Sequence, residues 1–134
     1  MARDDHPMFG ANRLKLGIFA ANCSGGMAAT GVPERWHASW SNNVELARLA
    51  DEAGFEFLLP IARWTGYGGA TDFQGWSLET ITWATGLLAS THNIGVFATA
   101  HTAFIHPIAA AKQFATADHV GGGRFGLNIV CGWN

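Results

Sequence analysis

Residues 121–134 read GGGRFGLNIVCGWN, and the reading of this stretch decides the fold. Its three glycines end whatever regular structure precedes them. Residues 124–130 then run as a short apolar strand interrupted by one polar residue, Asn128. Alternate side chains of a strand share a face, so Gly126, Asn128 and Val130 are predicted on one side and Phe125, Leu127 and Ile129 on the other. The bulky side calls for helices against it. The opposite side carries a carboxamide beside a residue with no side chain, which leaves room for a ligand and offers it a donor and an acceptor. A buried carboxamide is as often satisfied by neighbouring backbone, so at this point Asn128 is either a ligand contact or a structural one.

Working back from that strand, apolar runs at residues 14–20, 55–59 and 94–99 read as three more strands. Between them lie helical patterns. Ser41 or Asn42 can cap the first, with Glu45 placed for a capping box, and Leu46, Leu49, Ala50 and Ala53 share a face before Gly54. Ser77 is the expected cap of the second helix, which carries Leu78, Ile81, Ala84 and Leu88. Pro107 opens the third at a position where its missing N–H costs nothing, with Ile108, Ala111, Phe114 and Ala115 turned to the core. The order is β-α-β-α-β-α-β, with strands of nearly continuous apolar character, the pattern of parallel strands covered by helices. Two connections, residues 22–41 and 61–76, are long and rich in glycine and aromatics, and long connections in compact domains are usually functional.

The 134 residues, 49% hydrophobic and 13% charged, suffice for one domain with a real core. Residues 1–12 read as a flexible lead-in and residues 13–134 as the domain. A net charge of -2 without a Lys/Arg cluster argues against a nucleic-acid or anionic-membrane surface. No stretch approaches the roughly 20 apolar residues of a membrane helix, and the apolar run after Arg13 and Lys15 is short for a signal peptide. Cys23 and Cys131 form no framework and no C-x-x-C pair, which points to a reducing, cytoplasmic setting.

Two architectures fit the alternation. A doubly wound dinucleotide-binding sheet requires Gly-x-Gly-x-x-Gly between the first strand and helix, and the glycines at 25, 26 and 31 have the wrong spacing. A barrel needs eight strands and about 250 residues. The expectation is therefore an α/β fold, the N-terminal half of a (β/α)8 TIM barrel with four parallel strands and intervening helices. Such a half standing alone exposes two sheet edges and should associate.

Three blocks in order, GFEFLLPIARWTGYGG at 54–69, GVFATAHTAFIHPIAAAKQFATADHV at 95–120 and GGRFGLNIVCGW at 122–133, resemble the bacterial luciferase-like, flavin-dependent monooxygenases. The branch holding the alkanesulfonate, dimethyl sulfone and pyrimidine monooxygenases is the most similar. The resemblance implies a (β/α)8 barrel with reduced FMN at the C-terminal mouth of the strands, supplied by a separate flavin reductase. It implies an enzyme that uses O2 to oxygenate a small organic substrate, with this half expected to be inactive by itself, and a homo-oligomer when full length. Cofactor contacts fall on Ala62, Arg63, Thr99, Ala100 and Asn128. The catalytic roles fall on Thr99 and Asn128, which would flank the oxygen pocket and donate hydrogen bonds there, with His101 assisting proton transfer. No metal is expected, since His101 and His106 lack a ligand partner at helical spacing. A non-proline cis peptide is expected between residues 99 and 101. Trp36, Trp40, Trp64 and Trp76 are candidate pocket walls, and Cys23 and Cys131 either line the site or are plain buried thiols. Residues 22–26 are closer to the sulfone type, so the substrate expected is organosulfur rather than uracil. The alternatives are a deazaflavin-dependent oxidoreductase of the same superfamily and a non-catalytic flavin-binding fragment.

Overall fold

The computed structural model describes residues 6–132. Its strands are β1 (Gly17–Phe19), β2 (Phe57–Leu59), β3 (Gly95–His101) and β4 (Phe125–Val130), and its helices α1 (Trp40–Glu52), α2 (Thr80–Leu88) and α3 (Pro107–Gly121). All strand pairings are parallel and the sheet order is β1-β2-β3-β4. This order separates the two architectures. A doubly wound sheet reverses direction at a switch point, whereas here every crossover steps the same way, as around a barrel.

The register row Ile18, Leu58, Val96 and Phe125 faces the helices. Leu58 and Val96 join Ala47 and Ala50 of α1 and Ile81, Leu87 and Leu88 of α2 in one cluster, and Phe125 stacks on Phe114 of α3 at 5.9 Å. Each large aliphatic side chain buried there contributes about 1.5–3 kcal/mol. The other face is lined by Phe57 and Phe97, in edge contact at 5.8 Å. Glycines on the neighbouring strands make this possible: a Cβ on Gly126 would meet Phe97 Cδ1 at 2.5 Å, and one on Gly17 would meet the Phe57 ring. The space beside Asn128 that was expected for a ligand is therefore filled by Phe97.

Helix ends differ from expectation because tertiary packing chose among several polar residues. Ser39, not Ser41 or Asn42, caps α1 by accepting the Asn42 N–H, and Glu79, not Ser77, caps α2 by accepting from Ile81 and Thr82. Pro107 opens α3 as expected, and Gly122 closes it in the left-handed conformation at φ 60. On α1 the buried side is Asn43, Ala47, Ala50 and Asp51, while Leu49 is exposed. On α3 it is Ala117 and Gly121, with Phe114 half-buried; Ile108, Ala111 and Ala115 face outward. The reason is local: Gly121 lies so close to Leu88 that a Cβ would come within 2.8 Å, which draws the C-terminal half of α3 against α2.

The N-terminal ends of the strands are closed by charged groups. Asp51 accepts the backbone N–H groups of His92, Asn93 and Ile94, at 2.7, 2.9 and 2.7 Å. Burial works to raise the Asp51 pKa; the three donors and the nearby Arg124 charge outweigh it, so the carboxyl titrates below its ordinary range. A depressed folded pKa contributes stability that is present above the unfolded pKa and is lost as pH falls through the folded one. Asp51→Asn is thus expected to lower stability at neutral pH and to flatten the acid limb of a stability–pH curve from urea titrations; an unaltered limb would show that Asp51 does not carry it. Residues 1–5 of the lead-in lie outside the described residues. From His6 onward the segment is held, by a 3-10 turn at Pro7–Phe9 and by hydrogen bonds from Asn12 to Glu56 and from Lys15 to the Pro7 and Gly10 carbonyls.

Candidate active site

The two long connections meet over the C-terminal ends of the strands. Asn22, fully buried at the exit of β1, is their staple: its Nδ2 donates to the Ile61 and Leu78 carbonyls and its Oδ1 accepts the Ile61 N–H at 3.0 Å. Next to it, Ser24 N–H donates to the Trp76 carbonyl, Trp76 N–H to Ser24 Oγ, and Gln74 N–H to the Ser24 carbonyl. Arg35 Nη1 reaches the Thr71 carbonyl and Trp36 Nε1 the Ala21 carbonyl. A loop built this way holds its side chains as firmly as a strand does, which a binding surface requires.

Beneath these loops, at the ends of β2 and β3, lies a cleft of about 240 Å³. Ala62, Arg63, Thr99 and His101 all line it, so four of the residues expected at the site are brought together. Trp64, Trp76 and Phe104 form its aromatic walls, with Trp64 and Phe104 in edge contact at 5.9 Å. His101 is 4% exposed, its ring tilted against Phe104 at 5.3 Å. Its Nδ1 is buried and has no hydrogen-bond partner among the described residues. A buried polar atom left in this condition costs about 1–3 kcal/mol, so such atoms are usually matched by a ligand or water. Arg63 is clamped: Nε donates to Gln74 Oε1 at 3.2 Å, Nη2 donates to Tyr67 Oη at 2.9 Å, and the guanidinium lies 4.4 Å from the Tyr67 ring centre. Tyr67 itself stacks on Phe73.

Thr99 and Asn128 are register partners on β3 and β4. Thr99 Oγ1 donates to the Pro60 carbonyl at 2.8 Å, which commits the single hydroxyl proton. Toward Asn128 the hydroxyl can only accept, and Asn128 Nδ2 donates to it at 3.2 Å. The amide orientation of Asn128 follows, with Oδ1 turned away from Thr99. Thr80 Oγ1 completes the set by donating to the Thr99 carbonyl at 2.6 Å, tying the start of α2 to β3. Thr99, expected to donate into the site, instead has its proton bound in the wall.

Other expected residues are placed elsewhere. Asn128 stands one strand beyond the cleft wall and reaches it through Thr99. Ala100 lies on the helix face, in a groove with Phe114 and Ile129, and does not line the cleft. Trp36 and Trp40 do not line the cleft; Trp40 belongs to α1 and packs on Gly86 of α2. His106 caps α3, accepting the Ile108 N–H. Cys23 is buried away from the cleft, its thiol pushed up to about 11 by burial against the opposing charge of Arg63, and Cys131 is exposed. No cis peptide occurs among the described residues, so the one expected between residues 99 and 101 is absent. Trp133 and Asn134, which end the opening motif, lie outside the described residues. Among the described residues no group of three His, Cys, Asp or Glu could hold a metal, and no helix is long and apolar enough to cross a membrane. Asn22, Gln74 and Thr80 were not foreseen. The sole sequence signal for the first is an asparagine directly after a strand, and the other two have none.

Comparison with known proteins places this geometry. The luciferase-like monooxygenase family matches residues 14–134. The pyrimidine monooxygenase RutA of Acinetobacter baylyi is 35% identical over 120 residues, covering 90% of this chain and 32% of that protein. The chain thus spans about a third of the length of the curated relatives it matches. Among solved structures, riboflavin lyase RcaE, described with modified FMN and riboflavin, superposes with a TM-score of 0.75 at 25% identity, over 90% of this chain and 30% of that one. EDTA monooxygenase EmoA from Chelativorans sp. BNC1 superposes with a TM-score of 0.77 at 22% identity, over 92% and 31%, a likeness of fold.

Proposed function

Because the chain belongs to the luciferase-like monooxygenase family, we propose that it is the strand-mouth portion of an FMN-dependent monooxygenase acting on a small organic substrate. The observation that carries this reading is the aromatic-walled cleft at the ends of β2 and β3, lined by Arg63, Thr99 and His101, the last with a buried Nδ1 that has no partner among the described residues. The residues present fit a flat, hydrogen-bonding ring, since Trp64, Trp76 and Phe104 offer faces and edges to stack on while Arg63 and His101 offer polar atoms. The FMN in the RcaE structure supports the same choice of cofactor. Reduced FMN, when bound, supplies the electrons that split dioxygen, one atom entering the substrate and the other leaving as water.

The chain's own residues then have separable tasks. The aromatic walls exclude water. Arg63 presents a fixed positive charge to an electron-rich carbonyl edge. Asn128, held by Thr99, offers its remaining amide valences at the mouth of β4. His101 Nδ1 holds or accepts a proton at the reacting end of the cleft. The substrate in this reading is an organosulfur compound of the alkanesulfonate or sulfone type, following residues 22–26; the 35% identity to a pyrimidine monooxygenase favours a pyrimidine as the second reading. A separate reductase, a cytoplasmic location and a homo-oligomeric assembly complete the proposal, the two free thiols supporting a reducing compartment.

The test is titration of the chain with FMN, followed, on the full-length protein that carries it, by oxygen uptake with a flavin reductase and candidate sulfonates, sulfones and pyrimidines. Quenching of flavin fluorescence is expected, and no quenching at FMN concentrations of about 1 mM would overturn the reading. His101→Leu is expected to keep FMN binding and to lose about a hundredfold in turnover. Unchanged turnover in that variant would remove His101 from the chemistry.

A further inference from the structure

Gln74 is an unusual residue for a surface loop. It is 1% exposed, and its backbone sits in the left-handed region at φ 53, a conformation that costs a residue with a Cβ about 1 kcal/mol or more. Two close contacts hold it there: its N–H donates to the Ser24 carbonyl, and its own carbonyl passes so near Gly66 that a Cβ on that glycine would lie 2.7 Å away. The side chain uses both ends. Nε2 donates to the Gly26 carbonyl at 3.2 Å and approaches Met27 Sδ at 3.8 Å, while Oε1 accepts from Arg63 Nε at 3.2 Å. A strained backbone and a buried carboxamide are thus maintained together, and one end of that carboxamide fixes a charged group on the cleft wall.

We propose that Gln74 is a positioning residue of the site: it locks the Arg63 guanidinium in the orientation that meets the electron-rich carbonyl edge of the bound flavin ring. The inference rests on the FMN reading above. Without Gln74 the guanidinium loses the acceptor that holds its Nε, and the Tyr67 hydroxyl and ring face beside it belong to a side chain that is itself 60% exposed. A role as a staple of the two loops independent of Arg63 makes the opposite prediction, because a staple acts through Gly26 and a positioning residue acts through Arg63.

The experiment compares FMN dissociation constants and unfolding midpoints for five variants of the chain. Gln74→Asn suits the left-handed backbone but is one methylene too short for both partners, and it is expected to weaken FMN binding about tenfold. Gln74→Gly removes the backbone strain altogether and gives the same loss if the shorter side chain in Gln74→Asn disturbs folding. Gln74→Glu keeps an acceptor for Arg63 Nε and loses the donor to Gly26; it is expected to bind FMN within about threefold of the parent chain while its unfolding midpoint drops. Arg63→Met combined with Gln74→Asn is expected to bind no more weakly than Arg63→Met alone, the signature of two residues acting as one unit. Gln74→Glu binding as poorly as Gln74→Asn, or additive losses in the double variant, would overturn the proposal and leave the FMN reading intact. Failure of the parent chain to bind FMN would overturn both.

Discussion

Replacing Arg124 by alanine is expected to lower the free energy of unfolding by about 3 kcal/mol or more, a large share of the roughly 5–15 kcal/mol typical of a folded domain. The side chain is 6% exposed at the entry to β4, and both terminal nitrogens are fully used. Nη1 donates to Thr91 Oγ1 and the Ile94 carbonyl, at 3.1 and 2.8 Å, and Nη2 to the Leu88 and Thr91 carbonyls, at 2.8 and 3.0 Å. Leu88 is the last residue of α2, so the guanidinium closes carbonyls that the helix end leaves open and places a positive charge at its negative pole. Burial lowers the Arg124 pKa, and the Asp51 charge opposes that shift; arginine stays ionised because its ordinary value is so high. Arg124→Met retains the apolar stem but orphans the same carbonyls, and Arg124→Lys keeps the charge without the fork. Urea unfolding followed by circular dichroism should rank the parent above Lys, and Lys above Met and Ala. Equal midpoints for all four would show that the network contributes nothing to stability. The effect should also reach the mouth, because Arg124 directly precedes the strand that carries Asn128.

The strand–helix alternation was legible because periodicity and glycine or proline punctuation are local signals, while only the family resemblance set Thr99 beside Asn128, which the register of β3 and β4 pairs. Pro107 and Gly122 landed where a helix start and stop were read, for the same reason. What escaped the sequence is polar and long-range. Asn22 meets Ile61, Asp51 meets residues 92–94, Arg124 meets Leu88 and Thr91, and Gln74 meets Gly26. Each of these joins one polar side chain to backbone groups far along the chain, and nothing near that side chain in sequence distinguishes it from a surface one. Gly126 shows a subtler failure: an absent side chain was read as room for a ligand, when a neighbouring strand fills the room with Phe97. The caps of α1 and α2 were misplaced because residues 39–43 and 77–80 offer several capping groups, and packing, not propensity, selects among them.

Asn128→Ala and Thr99→Val are expected to weaken flavin binding alike while differing in what they cost the fold. Asn128 is half-buried and, among the described residues, makes one hydrogen bond through its side chain, so its removal should change stability by about 1 kcal/mol. Thr99 is 7% exposed, and valine there strips the Pro60 carbonyl of its donor in a buried setting, at a cost of about 1–3 kcal/mol. Flavin binding should respond differently from stability. On the proposed reading, removing the Asn128 amide deletes a flavin contact, while Thr99→Val leaves that amide in place but frees it to turn, since the hydroxyl that accepts from its Nδ2 is gone. Both are expected to weaken FMN binding about tenfold or more and to slow turnover further, whereas Thr99→Ser, which keeps the hydroxyl, should resemble the parent. Stability from chemical denaturation and FMN affinity from fluorescence, measured on the same preparations, give the comparison. If Asn128→Ala turns over at the parent rate, the carboxamide is a wall group and the orientation imposed by Thr99 has no bearing on the chemistry. If Thr99→Ser behaves like Thr99→Val, the lost methyl packing rather than the hydroxyl relay from Pro60 is what matters at this position.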